Sequence, residues 1–353
     1  MTTPPVNRQR VFGAVAFGFT LIAVIVALLP GCDDSGSDED NAGSGSKKPG
    51  TGESGEGGSR SGSTLSSGTI ETAIHFADVT KRTSIDFTYR NGEEAGNFAI
   101  IESLGGGAGL FDYDNDGDVD VVVPGGDHFP AARTISGHST ALFRNDGGFD
   151  FSDVSAVADI NTPGFYSHGI AVTDFDSDGF LDFLVTGYGG LRLYHNMGDG
   201  TFEESAQATG LTDSQWSSSA AFADFNGDGH VDLYVAHYVN WSFDNHPLCK
   251  AGEEKEVCPP RSFDPLPDTL YLSNGDGSFR DASRDWGLSL KGKGLGVVAG
   301  DLDLNGTIEV YVGNDPAPNL LYKNKGKTFE DTSLMSGTSI NGGGSADGRM
   351  GVG

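Results

Sequence analysis

The nonapeptide Asp174-Phe175-Asp176-Ser177-Asp178-Gly179-Phe180-Leu181-Asp182 decides the fold of this chain. Side-chain oxygens stand at positions 1, 3, 5 and 9 of it, and glycine at position 6. In a tight loop alternate side chains face one interior, and glycine takes the positive φ that the turn needs. The segment therefore reads as a loop built around one hard cation. The pattern recurs three more times. Asp112, Asp114, Asp116 and Asp120 frame the first copy, Asp224, Asn226, Asp228 and Asp232 the third, and Asp301, Asp303, Asn305 and Glu309 the fourth. A single acidic turn is most simply a solvated turn, since Asp and Gly are common turn formers. Four in phase, with fourteen carboxylates at ligand positions, point to calcium, about four ions in all.

An EF-hand is excluded. That loop needs a bidentate Glu at position 12 and flanking helices, whereas position 12 here is Val123, Val185, Val235 and Val312. The flanks are short, β-branched or aromatic, and bounded by glycine, so the acidic loop joins two strands. In the first unit strands are expected over 108–112, 119–123, 141–144 and 149–154. The strand after the loop is expected over 180–185, 231–235 and 308–312 in the others. Small residues precede each loop, at 105–110, 169–173, 217–223 and 294–300. Downstream of each comes a Leu-aromatic pair (Leu142-Phe143, Leu193-Tyr194, Leu270-Tyr271, Leu321-Tyr322) and then a closing Phe (Phe151, Phe202, Phe279, Phe329).

From first loop residue to closing Phe is 28 residues in the second and fourth copies (174 to 202, 301 to 329). It is 39 in the first (112 to 151) and 55 in the third (224 to 279). The excess of 11 and 27 residues lies between the loop and the Leu-aromatic strand. In the third copy it holds Cys249 and Cys258, an even pair suited to a disulfide in an exported chain. Residues 241–264 of that insertion are the best candidate recognition element. Loops two and three are 50 residues apart (174 to 224), and a period of 40–50 with four short strands per unit indicates a propeller. The fold class is all-β: a β-propeller with four complete four-stranded blades, at about residues 100–157, 165–208, 215–285 and 292–335.

Asp-x-Asp-x-Asp-Gly-x-x-Asp between strands resembles the calcium loop of FG-GAP/VCBS repeats, as in integrin α-chain propellers. Together with Leu193-Tyr194-His195-Asn196 and the Gly-Asp-Gly-Thr-Phe run ending at Phe202, it is similar to the bacterial ASPIC/UnbV and cartilage acidic protein group. The resemblance spans about residues 70–353 and implies a multi-bladed, usually seven-bladed, propeller. Residues 345–353 resemble the start of a further blade. His75-Phe76-Ala77-Asp78-Val79-Thr80 resembles a closing strand without a blade of its own. The chain is therefore expected to be a piece of a longer ring, or else an open array completed by a partner.

Composition agrees. Asp and Glu outnumber Lys and Arg 50 to 22, for a net charge of −28. That balance excludes a nucleic-acid binder, whose footprint is basic. Arg8 and Arg10 precede an uncharged apolar run at 11–29, an export signal. Leu29-Pro30-Gly31-Cys32 resembles a bacterial lipobox, with Cys32 as the lipidated residue. An uncleaved anchor and an ordinary signal peptide suit the same run, and all three send the chain outside the cytoplasm. Residues 33–69 are Gly, Ser and acidic in character, a tether too polar to order itself. No nucleophile elbow, phosphate loop or HExxH motif occurs. Two functions follow as expectations. One is a non-enzymatic, membrane-tethered scaffold that binds a protein or polysaccharide. The other is a secreted calcium-dependent hydrolase or lyase acting on polysaccharide.

Overall fold

The structure is a computed structural model that describes residues 76–161, 164–288 and 291–346. The stretches expected to be an export segment and a tether, Cys32, and residues 347–353 of the expected further blade lie outside the described residues. From Val79 onward the described residues fall in one compact unit.

Four antiparallel four-stranded sheets follow one another along the chain, each with its strands in sequence order. Blade one is Gly109–Phe111, Asp120–Val123, Ala141–Asn145 and Phe151–Asp153. Blade two is Tyr166–Thr173, Asp182–Tyr188, Gly190–Asn196 and Phe202–Glu204. Blade three is Ser217–Ala223, Asp232–His237, Thr269–Ser273 and Phe279–Asp281. Blade four is Gly294–Gly300, Glu309–Asn314, Leu320–Asn324 and Phe329–Asp331. The all-β, propeller-like reading holds. The longest α-helix among the described residues is the single turn Ser333–Ser336.

The first strands of successive blades pack on one another, blade two on three and three on four. This crowding explains their small residues. A Cβ on Gly109 would lie 2.6 Å from Ile170 Cγ2 and 2.8 Å from Val122 Cγ1. Second strands are covered on both faces, so Val121-Val122-Val123 and Leu233-Tyr234-Val235 are apolar without alternation and buried throughout. Between blades one and two, two and three, and three and four lie three separate apolar cores. One motif recurs in each. The position-2 aromatic of a loop meets the closing Phe of the next blade: Tyr113 with Phe202 at 6.0 Å, Phe175 with Phe279 at 6.0 Å, Phe225 with Phe329 at 5.7 Å.

Two expectations need correction. The second strands begin at position 9 of each loop, one or two residues later than their apolar residues suggest. Asp120, Asp182, Asp232 and Glu309 pair with Phe111, Thr173, Ala223 and Gly300, and the position-9 carboxylate closes the loop there. The stretch compared with a closing strand is not one where it is described. Residues 76–79 are irregular and Thr80–Arg82 is a 3-10 turn. Downstream, Ile85 and Phe87 instead cover the outer face of blade one, with Phe87 edge-on to Phe143.

Antiparallel order puts the acidic loops at one end of the blades and the second-to-third-strand connections at the other. Both spacing insertions are such connections. The first contains the hairpin Gly126–Ala131 and Thr134–Gly137. The other contains the hairpin Cys249–Ala251 and Glu254–Glu256, closed by the Cys249–Cys258 disulfide. They meet across blade two: Phe129 lies 6.2 Å from Phe243, Arg133 stacks on Phe243 at 5.8 Å, and Arg133 pairs with Asp244. With Ile100, Ile101, Trp216 and Trp241 they form a fourth apolar cluster over this end.

Candidate metal centre

The same framework of hydrogen bonds builds all four loops. Both oxygens at position 1 accept backbone N–H groups from positions 5 and 6. These are Asp112 from Asp116 and Gly117 (3.1 and 2.9 Å), Asp174 from Asp178 and Gly179 (3.1 Å each), and Asp224 from Asp228 and Gly229 (3.1 and 2.9 Å). Asp301 accepts from Asn305 and Gly306 at 2.9 Å each. The glycine at position 6 has φ of 95°, 97°, 92° and 90° in turn. Position 4 is also left-handed, and in loop four it is Leu304, with φ 60° and 90% exposed.

Position 9 joins loop to sheet. Asp120, Asp182 and Asp232 are fully buried. One oxygen of each accepts the N–H of position 2, from Tyr113, Phe175 and Phe225 at 2.9–3.0 Å. The other accepts a third-strand N–H, from Asn145, Asn196 and Ser273 at 2.8–2.9 Å. Burial pushes these carboxyls up, to about 6 for Asp120 and Asp232 and about 7 for Asp182, against the pull of those two hydrogen bonds. Loop four differs: Glu309 Oε2 accepts from Leu302 N at 3.0 Å, and its Oε1 from Thr307 Oγ1 at 3.1 Å.

In three of the loops several carboxylates converge. Oxygens of Asp112, Asp114 and Asp120 lie within 4.8 Å of one another, as do those of Asp174, Asp176 and Asp182, and of Asp301, Asp303 and Glu309. In loop one, Asp114 Oδ1 is buried with no hydrogen-bond partner. Burial, then Asp116, raises the Asp114 carboxyl. That orphaned oxygen is what a cation would satisfy, and an all-oxygen set at this spacing suits calcium. Loop three has one carboxylate fewer. Asn226 donates its amide to Asp228 at 2.8 Å, leaving Asp224, Asp228 and Asp232 as its acids.

Three groups were not readable in the sequence. Asn196 donates Nδ2 to Leu181 O in its own blade at 3.1 Å and to Tyr113 O in blade one at 2.8 Å. Asn324 does the same toward Ile308 O (3.0 Å) and Phe225 O (2.8 Å). Second, the residue before each of these asparagines faces the loop. His195 Nε2 is 3.0 Å from Asp176 Oδ2, and Lys323 donates to Asp303. The third is the set of buried histidines at the opposite end. His168 accepts Trp216 Nε1–H at 2.9 Å, and burial pushes its pKa down to about 3. His237 Nε2 is 2.6 Å from Asp213 Oδ2, with 0% and 3% of the side chains exposed. These two are packing groups, and neither is open to a solute.

Residues 112–185 and 174–235 match the family of FG-GAP-like repeats. Relatives along a longer stretch carry a name. The chain is 24% identical over 253 residues to cartilage acidic protein 1 of Mus musculus, and 25% identical over 255 residues to that of Xenopus tropicalis. Each match covers 65% of this chain and 35% of the relative, so the chain spans about a third of the length of the relatives it matches. Among solved structures, an Agrocybe aegerita lectin that recognises non-reducing terminal N-acetylglucosamine aligns with a TM-score of 0.38 and 20% identity. That alignment covers 67% of this chain and 54% of the lectin.

Proposed function

We propose that this chain is an exported, calcium-stabilised blade array that binds a partner without transforming it. The observation that carries the reading is the recurrence of one loop in four blades, with convergent carboxylates and, in loop one, an orphaned buried oxygen. Without an ion such carboxylates repel one another, and calcium neutralises them. Asp112, Asp114, Asp116 and Asp120 would hold it in loop one, and Asp174, Asp176, Asp178 and Asp182 in loop two. The Cys249–Cys258 disulfide supports an oxidising compartment, and so does the name of the cartilage acidic relatives. Membrane attachment rests on the apolar run at 11–29 and Cys32 alone. The tip of the blade-three insertion, with Leu248 67% exposed beside the open hairpin, is the surface best placed to meet a protein or polysaccharide. The hydrolase reading gains nothing from Asp213 and His237, which are sealed from solvent.

Thermal unfolding of the full chain with calcium and after EDTA tests this. Unfolding should move to lower temperature with EDTA and recover with calcium; an unchanged melt refutes the calcium reading. Incubation with a polysaccharide panel should give saturable binding without new reducing ends. Calcium-dependent turnover would instead favour the hydrolase.

A further inference from the structure

The register places one residue of each third strand in the same relation to its loop: Arg144, His195, Leu272 and Lys323 each follow the aromatic paired with Val121, Phe183, Leu233 and Val310. What stands there differs in charge, and so do the loops. Arg144 pairs with Asp146, at 2.7–2.8 Å, and makes no hydrogen bond to Asp114, whose Oδ1 is orphaned. Leu272 brings no charge to loop three. His195 brings an imidazole nitrogen to Asp176. Lys323 alone puts a full ammonium onto a ligand position, Asp303, and holds that carboxyl below the usual carboxylate range.

The rest of loop four is also supplied from within. Asn305 Oδ1 accepts from Thr307 N at 2.8 Å and Thr307 Oγ1 at 2.5 Å. Both Glu309 oxygens accept from the loop itself, at 3.0 and 3.1 Å. Loop one has matching bonds, Asp118 N–H to Asp116 Oδ1 and two N–H groups to Asp120. What makes loop four a poorer fit to calcium than loop one is the Lys323 ammonium on Asp303 and one carboxylate fewer.

We infer that loop four carries its own cation, the Lys323 ammonium, and stays free of calcium at concentrations that fill loops one to three. This rests on the calcium reading above. A unit positive charge within a few ångströms of a divalent ion, at the dielectric of an exposed site, weakens binding by at least about tenfold. Loops three and four have three carboxylates each, but only loop four sets an ammonium against one of them. Lys323 thereby serves as a tethered counter-ion, making the shape of this blade independent of the calcium supply that governs its neighbours.

Native mass spectrometry and calcium isotherms of the full chain provide the test, with Lys323→Leu, the residue type of blade three, and Lys323→Met, which keeps much of the aliphatic stem. Three tight ions are expected in the unmodified chain, with a fourth at least about tenfold weaker. Both variants should tighten the fourth toward the other three. Asp303→Asn should leave the three tight ions in place. Four equivalent ions in the unmodified chain, or loss of a tight ion in Asp303→Asn, would overturn the tethered-cation reading alone. Binding of no calcium by any of these chains would overturn it together with the calcium reading.

Discussion

Replacing Asn196 by alanine should cost far more than a buried three-atom deletion suggests, because that side chain serves two blades. Asn196 is fully buried. Its amide donates to Tyr113 O at 2.8 Å and Leu181 O at 3.1 Å, and its oxygen accepts Gly198 N–H at 3.0 Å. A net hydrogen bond contributes about 0.5–1.5 kcal/mol, and a buried partner left unsatisfied costs about 1–3 kcal/mol. Three such bonds give an expected loss of about 3–5 kcal/mol. Blade three supplies the internal control. Its corresponding residue is Ser273, whose hydroxyl accepts only Gly275 N–H at 3.2 Å, so Ser273→Ala should lose about 1 kcal/mol. Asn196→Ser, which keeps the turn bond and drops the reach into blade one, should fall between them. Urea unfolding at saturating calcium, followed by the fluorescence of buried Trp216, Trp241 and Trp286, measures all three. Equal losses for Asn196→Ala and Ser273→Ala would refute the inter-blade clamp.

Leu304→Gly should stabilise the chain by about 1 kcal/mol, since Leu304 holds φ 60° while 90% exposed and a left-handed L-residue costs roughly 1–2 kcal/mol; a lower unfolding midpoint would contradict this. Cys249→Ser with Cys258→Ser opens a short loop, and the chain-entropy estimate puts the loss at about 2.5–3 kcal/mol, read as a lower melting temperature that reductant no longer changes. In calcium-free buffer the raised carboxyls, Asp182 at about 7 and Asp120 and Asp232 at about 6, hold more protons folded than unfolded. Their charged forms oppose folding, a penalty that is complete above pH 7 and relieved as pH falls toward the unfolded carboxylate range near 4. EDTA-treated chain should therefore melt higher at pH 5.5 than at pH 8, and the calcium-induced gain should shrink over the same interval; a melt that falls on acidification would overturn that assignment.

Much of the architecture was legible because it is local and repeated. The spacing from Asp174 to Phe202 and from Asp301 to Phe329 locates the two uninterrupted blades, and its excess elsewhere locates both insertions within theirs. The pairing of Cys249 with Cys258 needed only nine residues of chain. What escaped was contact between distant segments. Nothing in the residues around Arg133 announces Asp244, 111 positions away. Asn196 reads as a turn former until Tyr113 O, 83 positions earlier, is placed beside it. The strand-like look of residues 75–80 misled for a related reason: Phe76-Ala77-Asp78-Val79 matches Phe151-Ser152-Asp153-Val154 in type, but a strand exists only where a neighbour offers an edge. Nothing in the residues around Lys323 and His195 marks them as partners of the loops, and only the register turns them there.

At the loop end of the blades the inter-blade contacts point one way along the chain. The amides of Asn196 and Asn324, and the closing rings of Phe202, Phe279 and Phe329, belong to the later blade and reach back to the earlier one. An array joined in this manner has a direction of growth. As a nascent chain lengthens from its N-terminus, each blade finds its docking carbonyl and aromatic already in place on its predecessor. Every interface can thus be finished before the following blade exists, and unsealed apolar surface is confined to the growing end.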